Sequence, residues 1–423
     1  MLAIITFIIV FGLIVLVHEF GHYYFAKKSG ILVRQFSIGM GPKLISYTRN
    51  HTLYTIRLLP VGGYVMMAGA EDDDEDIKPG TILGLKLNSN GKVVKIDNSK
   101  NNNDSELVPV QVTKCDLVKD LYIEGYENGN EDSLKKYTVD HDATIVDESN
   151  NEMQIAPLDV QFNSASLWHR FITNLAGPMN NLLFGIIVFI ISSFLMGGPV
   201  NNNNRLGEVV PHSIAAKSGL KSGDEIVKVG NQKTNNWNQL AQTISTKPGK
   251  KIKVIYKDKN NKPHQTTVTP KVVKQNGKKI GQIGIMPARK SDFGSELKYG
   301  FDTAFGSMGL IFNALKNMVT NGFNLNQLGG PVAIYSQTSQ VAAMGFKEVV
   351  FFVGWLSINL GIMNLLPIPA LDGGKLLLNI IEAIRGKPIS QRTEMVITMI
   401  GVGLLVALMI AVTWNDIMRF FIK

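Results

Sequence analysis

Residues 2–25 of the sequence read LAIITFIIVFGLIVLVHEFGHYYF. Apolar residues predominate from Leu2 to Val17, and a helix of about 20 such residues can cross the roughly 30 Å hydrocarbon layer of a bilayer. No basic segment precedes this run and no small-residue cleavage site follows it, so we predict a retained first span rather than a cleaved signal peptide. The span ends in ionisable residues, which are costly at membrane depth and therefore indicate a functional site.

Three further segments are long and apolar enough to span a bilayer, and they lie near residues 173–197, 349–369 and 395–414. Residues 301–323 are a weaker candidate for a span because they include Asp302 and Lys316. We predict that they form an amphipathic helix on or near the membrane. The predicted fold class is therefore a polytopic α-helical membrane protein with about four transmembrane helices.

Polar regions separate the spans. Leu58–Met67, a run of glycine and aliphatic residues, predicts a short strand hairpin that touches lipid or protein. Residues 71–165 open with the acidic run Glu71–Asp76 and predict a soluble insert. Residues 205–287 alternate polar and apolar side chains, for example at Lys251–Tyr256, which is typical of half-buried strands.

Composition narrows the classes of partner and of metal site. The 423-residue chain has a net charge of +9 and 45% hydrophobic residues. It lacks a basic stripe with interleaved aromatic residues, which argues against a nucleic-acid partner, and its charge suits an anionic membrane surface better. The single cysteine, Cys115, excludes an intrachain disulfide and a Cys-x-x-Cys zinc site, so a transition-metal site must use His and carboxylate ligands.

Basic residues predict the orientation in the membrane. Between the first span and residue 60 the chain has basic side chains and no acidic one, namely Lys27, Lys28, Arg34, Lys43, Arg49 and Arg57. A second basic group follows the third span at Lys375, Arg385, Lys387 and Arg392. The positive-inside rule places both regions in the cytoplasm. The N-terminus, residues 198–348 and the C-terminus are then predicted to lie outside.

The pattern His18-Glu19-Phe20-Gly21-His22 gives the strongest local signal. Histidines at i and i+4 share one helix face, where both imidazoles can reach one zinc ion, and the intervening glutamate can act as general base. The alternative is a pair of interfacial histidines at the end of a span. Their position inside an apolar helix favours the metal site.

A catalytic zinc ion commonly has three protein ligands, and the best third candidate is Asp372. An aspartate before two glycines is also a common turn residue, which is the alternative reading. The predicted topology favours the ligand, because the first and third spans both run from outside to inside. The histidine pair and Asp372 then arrive at the same face of the membrane.

These features resemble the bacterial site-2 proteases. The resemblance rests on His18-Glu19-x-x-His22, on the NLLPIPALDG segment at residues 364–373, and on a PDZ-like region between the second and third spans. It covers nearly the whole chain and is closest to Bacillota members with a single PDZ domain. It implies an intramembrane metalloprotease that binds Zn2+ through His18, His22 and Asp372, with Glu19 as catalytic base near the cytoplasmic side.

The spans and polar regions described above, together with the resemblance, predict a domain organisation and partners. The expected parts are 1–70 (first transmembrane helix and hairpin), 71–165 (cytoplasmic insert), 166–198 (second transmembrane helix), 199–290 (β-rich PDZ-like extracytoplasmic domain), 291–347 (amphipathic membrane-associated helices) and 348–423 (third and fourth transmembrane helices). The expected substrates are single-span membrane proteins in the bilayer, such as anti-sigma factors or leftover signal peptides. Another protease of the site-1 type would trim them beforehand.

Further residues match the family less specifically. Asn181 lies in the Ala176–Asn181 motif of the second span, and Asn364 precedes the third-span aspartate. An amide at Asn364 can bind substrate backbone, or it can instead hydrogen-bond between spans. Gly63, Tyr64 and Val65 resemble the family's membrane-dipping hairpin, whose edge could accept an extended substrate by strand addition.

Two other functions fit parts of the pattern. A zinc transporter would need further polar ligands along a path through the membrane, and the spans contain no second cluster of acids and histidines. A membrane-anchored PDZ scaffold with an inactive metal site would not need Glu19. For the PDZ-like region itself, gating of bulky ectodomains and recruitment of substrate tails both remain open.

Overall fold

The structure is a computed structural model that describes residues 2–70, 77–99, 106–130, 132–147, 150, 152–275, 278–322, 325 and 328–419. The acidic run Glu71–Asp76, which opens the predicted insert, lies outside these residues. The chain forms two compact units, one of residues 1–186 with 307–423 and the other of residues 187–306.

The described residues contain nine α-helices: α1 (Leu2–Lys28), α2 (Leu167–Met196), α3 (Ile214–Lys217), α4 (Trp237–Ser245), α5 (Phe293–Thr320), α6 (Pro331–Met344), α7 (Phe346–Asn364), α8 (Asp372–Arg385) and α9 (Gln391–Ile417). Helices α1, α2, α7 and α9 are long and apolar enough to cross a membrane, which confirms the four predicted spans. The weaker stretch 301–323 falls mostly within α5, and its membrane association stays a prediction.

The third span ends earlier than predicted. Helix α7 stops at Asn364, and the prediction extended it to residue 369. Pro367 and Pro369 follow, and proline cannot donate the backbone hydrogen bond that would continue a helix. A Cβ atom at Gly373 or Gly374 would come within 2.1 or 2.4 Å of a carbonyl oxygen of this turn. Only glycine therefore lets α8 begin directly against the turn.

The described residues also contain sixteen β-strands: β1 (Val33–Arg49), β2 (Thr52–Met67), β3 (Ile82–Leu87), β4 (Val93–Asp97), β5 (Val108–Asp116), β6 (Tyr122–Glu127), β7 (Leu134–Val146), β8 (Glu152–Gln154), β9 (Leu206–Val209), β10 (Glu225–Val229), β11 (Gln232–Lys233), β12 (Ile252–Lys257), β13 (Pro263–Val268), β14 (Lys271–Gln275), β15 (Lys278–Gln282) and β16 (Ile285–Pro287).

Strands β1 and β2 form what we call the hairpin sheet. Residues 33–38 of β1 pair on one side with residues 53–56 and on the other with residues 63–67 of β2, while residues 43–49 pair with 52–57. The predicted hairpin is thus folded back into four segments: 33–38 runs antiparallel to 63–67 and parallel to 53–56, and 43–49 runs antiparallel to 52–57. Gly39, Gly41 and Gly62 adopt φ values between 75° and 85° at the bends, a conformation that favours glycine. Within the described residues no strand pairs with the outer edge of segment 63–67.

The insert folds into what we call the barrel. Strands β3 to β7 pair in the order β4-β3-β5-β6-β7, and a parallel pairing of β4 with β7 closes the ladder, while β8 extends from β7. Its interior is filled by apolar side chains that are at most 2% exposed, including Leu83, Leu85, Val93, Ile96, Val110, Val112, Ile123 and Val139. The predicted soluble insert therefore has a hydrophobic core of its own.

The unit of residues 187–306 holds the second β-rich region. Strands β10 to β13 form one sheet, β14 pairs with β15, and β9 pairs with β16. Ile226, Val229, Leu240 and Val254 are fully buried in its core. Strand β12 contains residues 252–256 of the alternating run that predicted half-buried strands.

Candidate metal centre

Helix α1 carries three buried polar side chains near its C-terminal end. His18, Glu19 and His22 are only 8%, 9% and 8% exposed. The histidines lie one helical turn apart on the same face, and their Nε2 atoms are 3.3 Å apart. Polar side chains this buried in an apolar helix need partners, and the partners come from α8 and α2.

Asp372, the first residue of α8, completes a group of three. Its Oδ2 atom lies 3.1 Å from Nε2 of His18 and 3.3 Å from Nε2 of His22. Burial favours the neutral carboxyl, but the neighbouring imidazoles outweigh burial and hold the pKa of Asp372 well below its usual range. The carboxylate is therefore ionised, which is the form that binds a metal. Arg170 of α2 pairs with Glu382 and fixes the later part of α8.

Helix α2 engages the other nitrogen of each imidazole. Nδ1 of His22 donates a hydrogen bond to the carbonyl oxygen of Thr173 at 2.7 Å, and Nδ1 of His18 lies 3.2 Å from the side-chain amide of Asn181. The Oδ1 atom of Asn181 is buried without a partner, so a reversed amide would place it to accept the His18 proton. In the neutral form that a metal requires, each imidazole would then present its Nε2 atom beside Asp372.

The geometry fits zinc. Zinc binds nitrogen and oxygen at about 2.0–2.2 Å in tetrahedral sites, which places neighbouring ligand atoms about 3.3 Å apart. The three atoms here are 3.1 to 3.3 Å apart. Among the described residues no other group of three His, Cys, Asp or Glu side chains brings its ligand atoms within 4.8 Å of one another. Three protein ligands are also the usual number at a catalytic zinc.

The close approach of α1 and α2 depends on glycine. A Cβ atom at Gly177 would come within 2.1 Å of Nε2 of His22, and one at Gly21 would come within 2.5 Å of the carbonyl oxygen of Ala176. The two helices therefore touch backbone to backbone at the metal centre, as small residues allow in membrane proteins.

The hairpin sheet contacts α1 next to Glu19. A Cβ atom at Gly63 would lie 2.9 Å from Cγ of Glu19 and 2.9 Å from Cγ1 of Val15. The edge segment 63–67 therefore begins directly against the glutamate between the two histidines. Glu19 is therefore adjacent to an edge segment whose outer side pairs with no described strand.

The less specific candidates occupy different places. Asn364 ends α7 with its Nδ2 3.4 Å from Nε2 of His18. Asn181 contacts His18 on the side opposite the carboxylate. Tyr64 accepts a hydrogen bond from Arg57 at 2.7 Å, on the face of the sheet turned away from α1. Val65 packs against the Tyr23–Ala26 part of α1. Their role in substrate binding stays a prediction.

Sequence reasoning missed two contributors. Thr173 acts through its main-chain carbonyl, which no side-chain pattern can signal. Gly177 stood within the Ala176–Asn181 motif, but its contact with His22 joins positions more than 150 residues apart in the chain.

Comparison with known proteins identifies the family. The sequence profile of peptidase family M50 matches residues 6–408. The chain belongs to peptidase family M50. This family is the site-2 protease family, so the predicted resemblance is confirmed, and the protein is a zinc-dependent metalloendopeptidase with membrane-spanning helices. Family membership decides against the zinc transporter and the inactive scaffold.

Similar proteins agree with this assignment. The protein is 50% identical to a protease named eep from Enterococcus faecalis, over 100% of both chains. It is 51% identical to a zinc metalloprotease of Streptococcus pyogenes serotype M6 over 100% of both chains, and 45% identical to one of Lactococcus lactis over 99% of both.

One solved structure is similar to a part of the chain. The PDZ domain of an SdrC-like protein from Listeria monocytogenes is 21% identical over 21% of this chain and 90% of that chain, with a TM-score of 0.18. A likeness of this size does not establish the fold, and the PDZ-like domain at 199–290 stays a prediction.

Proposed function

We propose that this protein hydrolyses peptide bonds within or next to the transmembrane segments of single-span membrane proteins. The observation that carries the proposal is the convergence of His18, His22 and Asp372, with ligand atoms within 4.8 Å of one another, at the end of an apolar span. A metalloendopeptidase built into spans meets its substrates in the bilayer. Anti-sigma factors and signal-peptide remnants, trimmed first by a site-1-type protease, are the proposed substrates.

The residues would take the following roles. His18, His22 and Asp372 would hold the zinc ion, which when bound polarises the scissile carbonyl and lowers the pKa of water to about 7. Glu19 would accept a proton from the attacking water and pass it to the leaving amine. Its place between the two histidines on α1 supports this role. Asn181 and Thr173 would hold the imidazoles in the tautomer that the metal requires.

A helical substrate must be unfolded before it can be cut, because its backbone groups are already bonded within the helix. The outer edge of segment 63–67 would offer replacement hydrogen bonds by strand addition. Gly63 supports this idea, since it lies against Glu19 and thereby places the added strand beside the general base. Val65→Pro, which removes a backbone donor, should slow cleavage without loss of zinc.

We propose that the metal centre lies near the cytoplasmic side. The basic residues that flank α1 and follow α7 support this orientation. Asn235 is exposed in the other unit, and a cysteine there should react with an impermeant maleimide added to intact cells, whereas Cys115 should not. The reverse labelling pattern would overturn the orientation.

The decisive test is Glu19→Gln. The amide nearly preserves the shape of the side chain but cannot accept the proton, so cleavage of a reporter span in proteoliposomes should fall by at least 100-fold. Zinc content, measured by plasma mass spectrometry, should stay at one per chain. Asp372→Ala should instead lose zinc. Full activity in Glu19→Gln, or full zinc occupancy in Asp372→Ala, would refute the assigned roles.

A further inference from the structure

A cleft of about 1260 Å³ lies between the hairpin sheet and the barrel. Its floor on the sheet side is formed by Gln35, Leu53 and Met66, which lie side by side on three adjacent segments. Its opposite wall comes from the barrel strands and the turns after β5. Pockets for small molecules commonly measure about 300–1,000 Å³, so this cleft is large enough for a stretch of polypeptide.

The cleft continues the path of the edge segment. Gly63 lies at the level of Glu19, whereas Val65 and Met67 pack near Tyr23 and the end of α1. Segment 63–67 therefore runs from the metal centre toward the end of the span where the barrel follows. Met66 already lines the cleft and lies three residues from Gly63, which corresponds to about 10 Å of extended chain.

The surface of the cleft suits a water-soluble segment rather than lipid. Most of the residues that line the cleft are polar or charged, among them Gln35, Ser46, Thr48, Asn50 and Gln154. A surface that contacts acyl chains would be apolar, because polar groups there lack partners.

The walls of the cleft carry opposite charges. The sheet side presents the basic residues Arg34, Lys43 and Arg49. The barrel side is mainly acidic, with Asp116, Asp120, Asp147 and Glu152 beside one lysine, Lys114. Such a pair of walls suits a polar chain with charges of both signs and disfavours a purely anionic or purely apolar ligand.

We propose that this cleft binds the extended soluble tail that adjoins the scissile transmembrane segment of the substrate, beginning about three residues from the cleaved bond. The inference rests on the proposed function and adds a second binding region to it. Segment 63–67 holds the unwound span by backbone hydrogen bonds, and the cleft holds the polar chain that follows.

The first test closes the cleft chemically in the full-length protein. Thr48 lines the cleft and is exposed, whereas Asn90, at the turn between β3 and β4, is exposed but does not line it. Thr48→Cys and Asn90→Cys, each in a Cys115→Ser background, are labelled with a polyethylene glycol maleimide and reconstituted in proteoliposomes. One reporter span is offered with its tail intact and with its tail trimmed to the first residues after the bond.

We expect the label at position 48 to raise KM for the tailed substrate by about tenfold, to leave the trimmed substrate unaffected, and to have no such effect at position 90. Equal KM values for the tailed substrate with both labels would overturn the cleft as a binding region. Loss of cleavage of the trimmed substrate in every unlabelled variant would instead refute the proposed function.

A second measurement does not need turnover. A photocrosslinking residue at Leu53, in a Glu19→Gln background, should capture the substrate tail within a few residues of the scissile bond, and the same residue at Asn90 should not. The inference would be overturned if positions 53 and 90 captured the substrate equally, or if position 53 captured only the transmembrane span and not the tail.

Discussion

Gly177→Ala offers a demanding test of the metal centre, because the change adds one methyl group and nothing else. Alanine is a better helix former than glycine by about 1 kcal/mol, so the helix itself should not weaken. The added carbon would stand 2.1 Å from Nε2 of His22, about the length of a zinc–nitrogen bond. To reach an ordinary contact of 3.4 Å, the imidazole must retreat by about 1.3 Å, whereas a zinc site tolerates about 0.2 Å.

We therefore expect Gly177→Ala to lose zinc affinity by more than the 10–100-fold that removal of an outer-sphere partner costs, and to lose cleavage in parallel. The assay is zinc content after dialysis against a graded chelator, together with cleavage of a reporter span. Gly12→Ala in α1 is the matched control, since no atom lies within 4 Å of its added carbon. If Gly177→Ala binds zinc as tightly as Gly12→Ala does, the proposed contact between α2 and His22 is wrong.

Three further contacts can be tested, two beside the metal centre and one in the barrel. Asn181→Ala removes the partner of His18 Nδ1 and should weaken zinc binding 10–100-fold, which a chelator titration measures; unchanged affinity would remove this residue from the site. Gly63→Ala pushes the sheet away from Glu19 and should lower kcat/KM at least tenfold, while the zinc content stays unchanged. Loss of zinc in this variant would contradict the view that Gly63 affects substrate binding alone. The hydrogen bond to the Asp142 carboxylate raises the pKa of His141, although partial burial acts to lower it. The protonated imidazole therefore stabilises the barrel fully below a pH of about 6.5, and this stabilisation is lost as pH rises through the raised folded-state pKa. The protection factors of β7 amides, which are exchange rates corrected for the intrinsic pH dependence, should fall over that window and should stay constant in His141→Gln. A pH-dependent protection factor in the variant would point to another group.

The sequence predicts best what is local. The four spans and the spacing of His18 and His22 are written within single helices, so hydropathy and helical periodicity locate them. The placement of Asp372 beside the histidines rests on a different argument, because charge asymmetry predicts the direction of each span and so places distant residues on one side of the membrane.

Features that depend on pairing over long distances could not be predicted. The barrel closes through a parallel pairing of β4 with β7 that contains a register shift. No pattern of alternating polar and apolar residues within either strand predicts this pairing. Segment 33–38 pairs on both edges, so the predicted hairpin became four strands. The contact of Asn181 with His18 likewise joins helices that are far apart in the chain.

The location of the three candidate ligands along the chain also has a consequence for biogenesis. His18 and His22 leave the ribosome first, yet Asp372 is made about 350 residues later, which at about 5–20 residues per second is roughly 20 to 70 s of synthesis. The Nδ1 atoms of both histidines contact α2, so α2 must insert before these contacts can form. A nascent chain in the insertion machinery therefore carries a histidine pair without a finished centre. If the three side chains hold zinc as proposed, the chain can become a protease only after α7 and the start of α8 have joined α1 and α2.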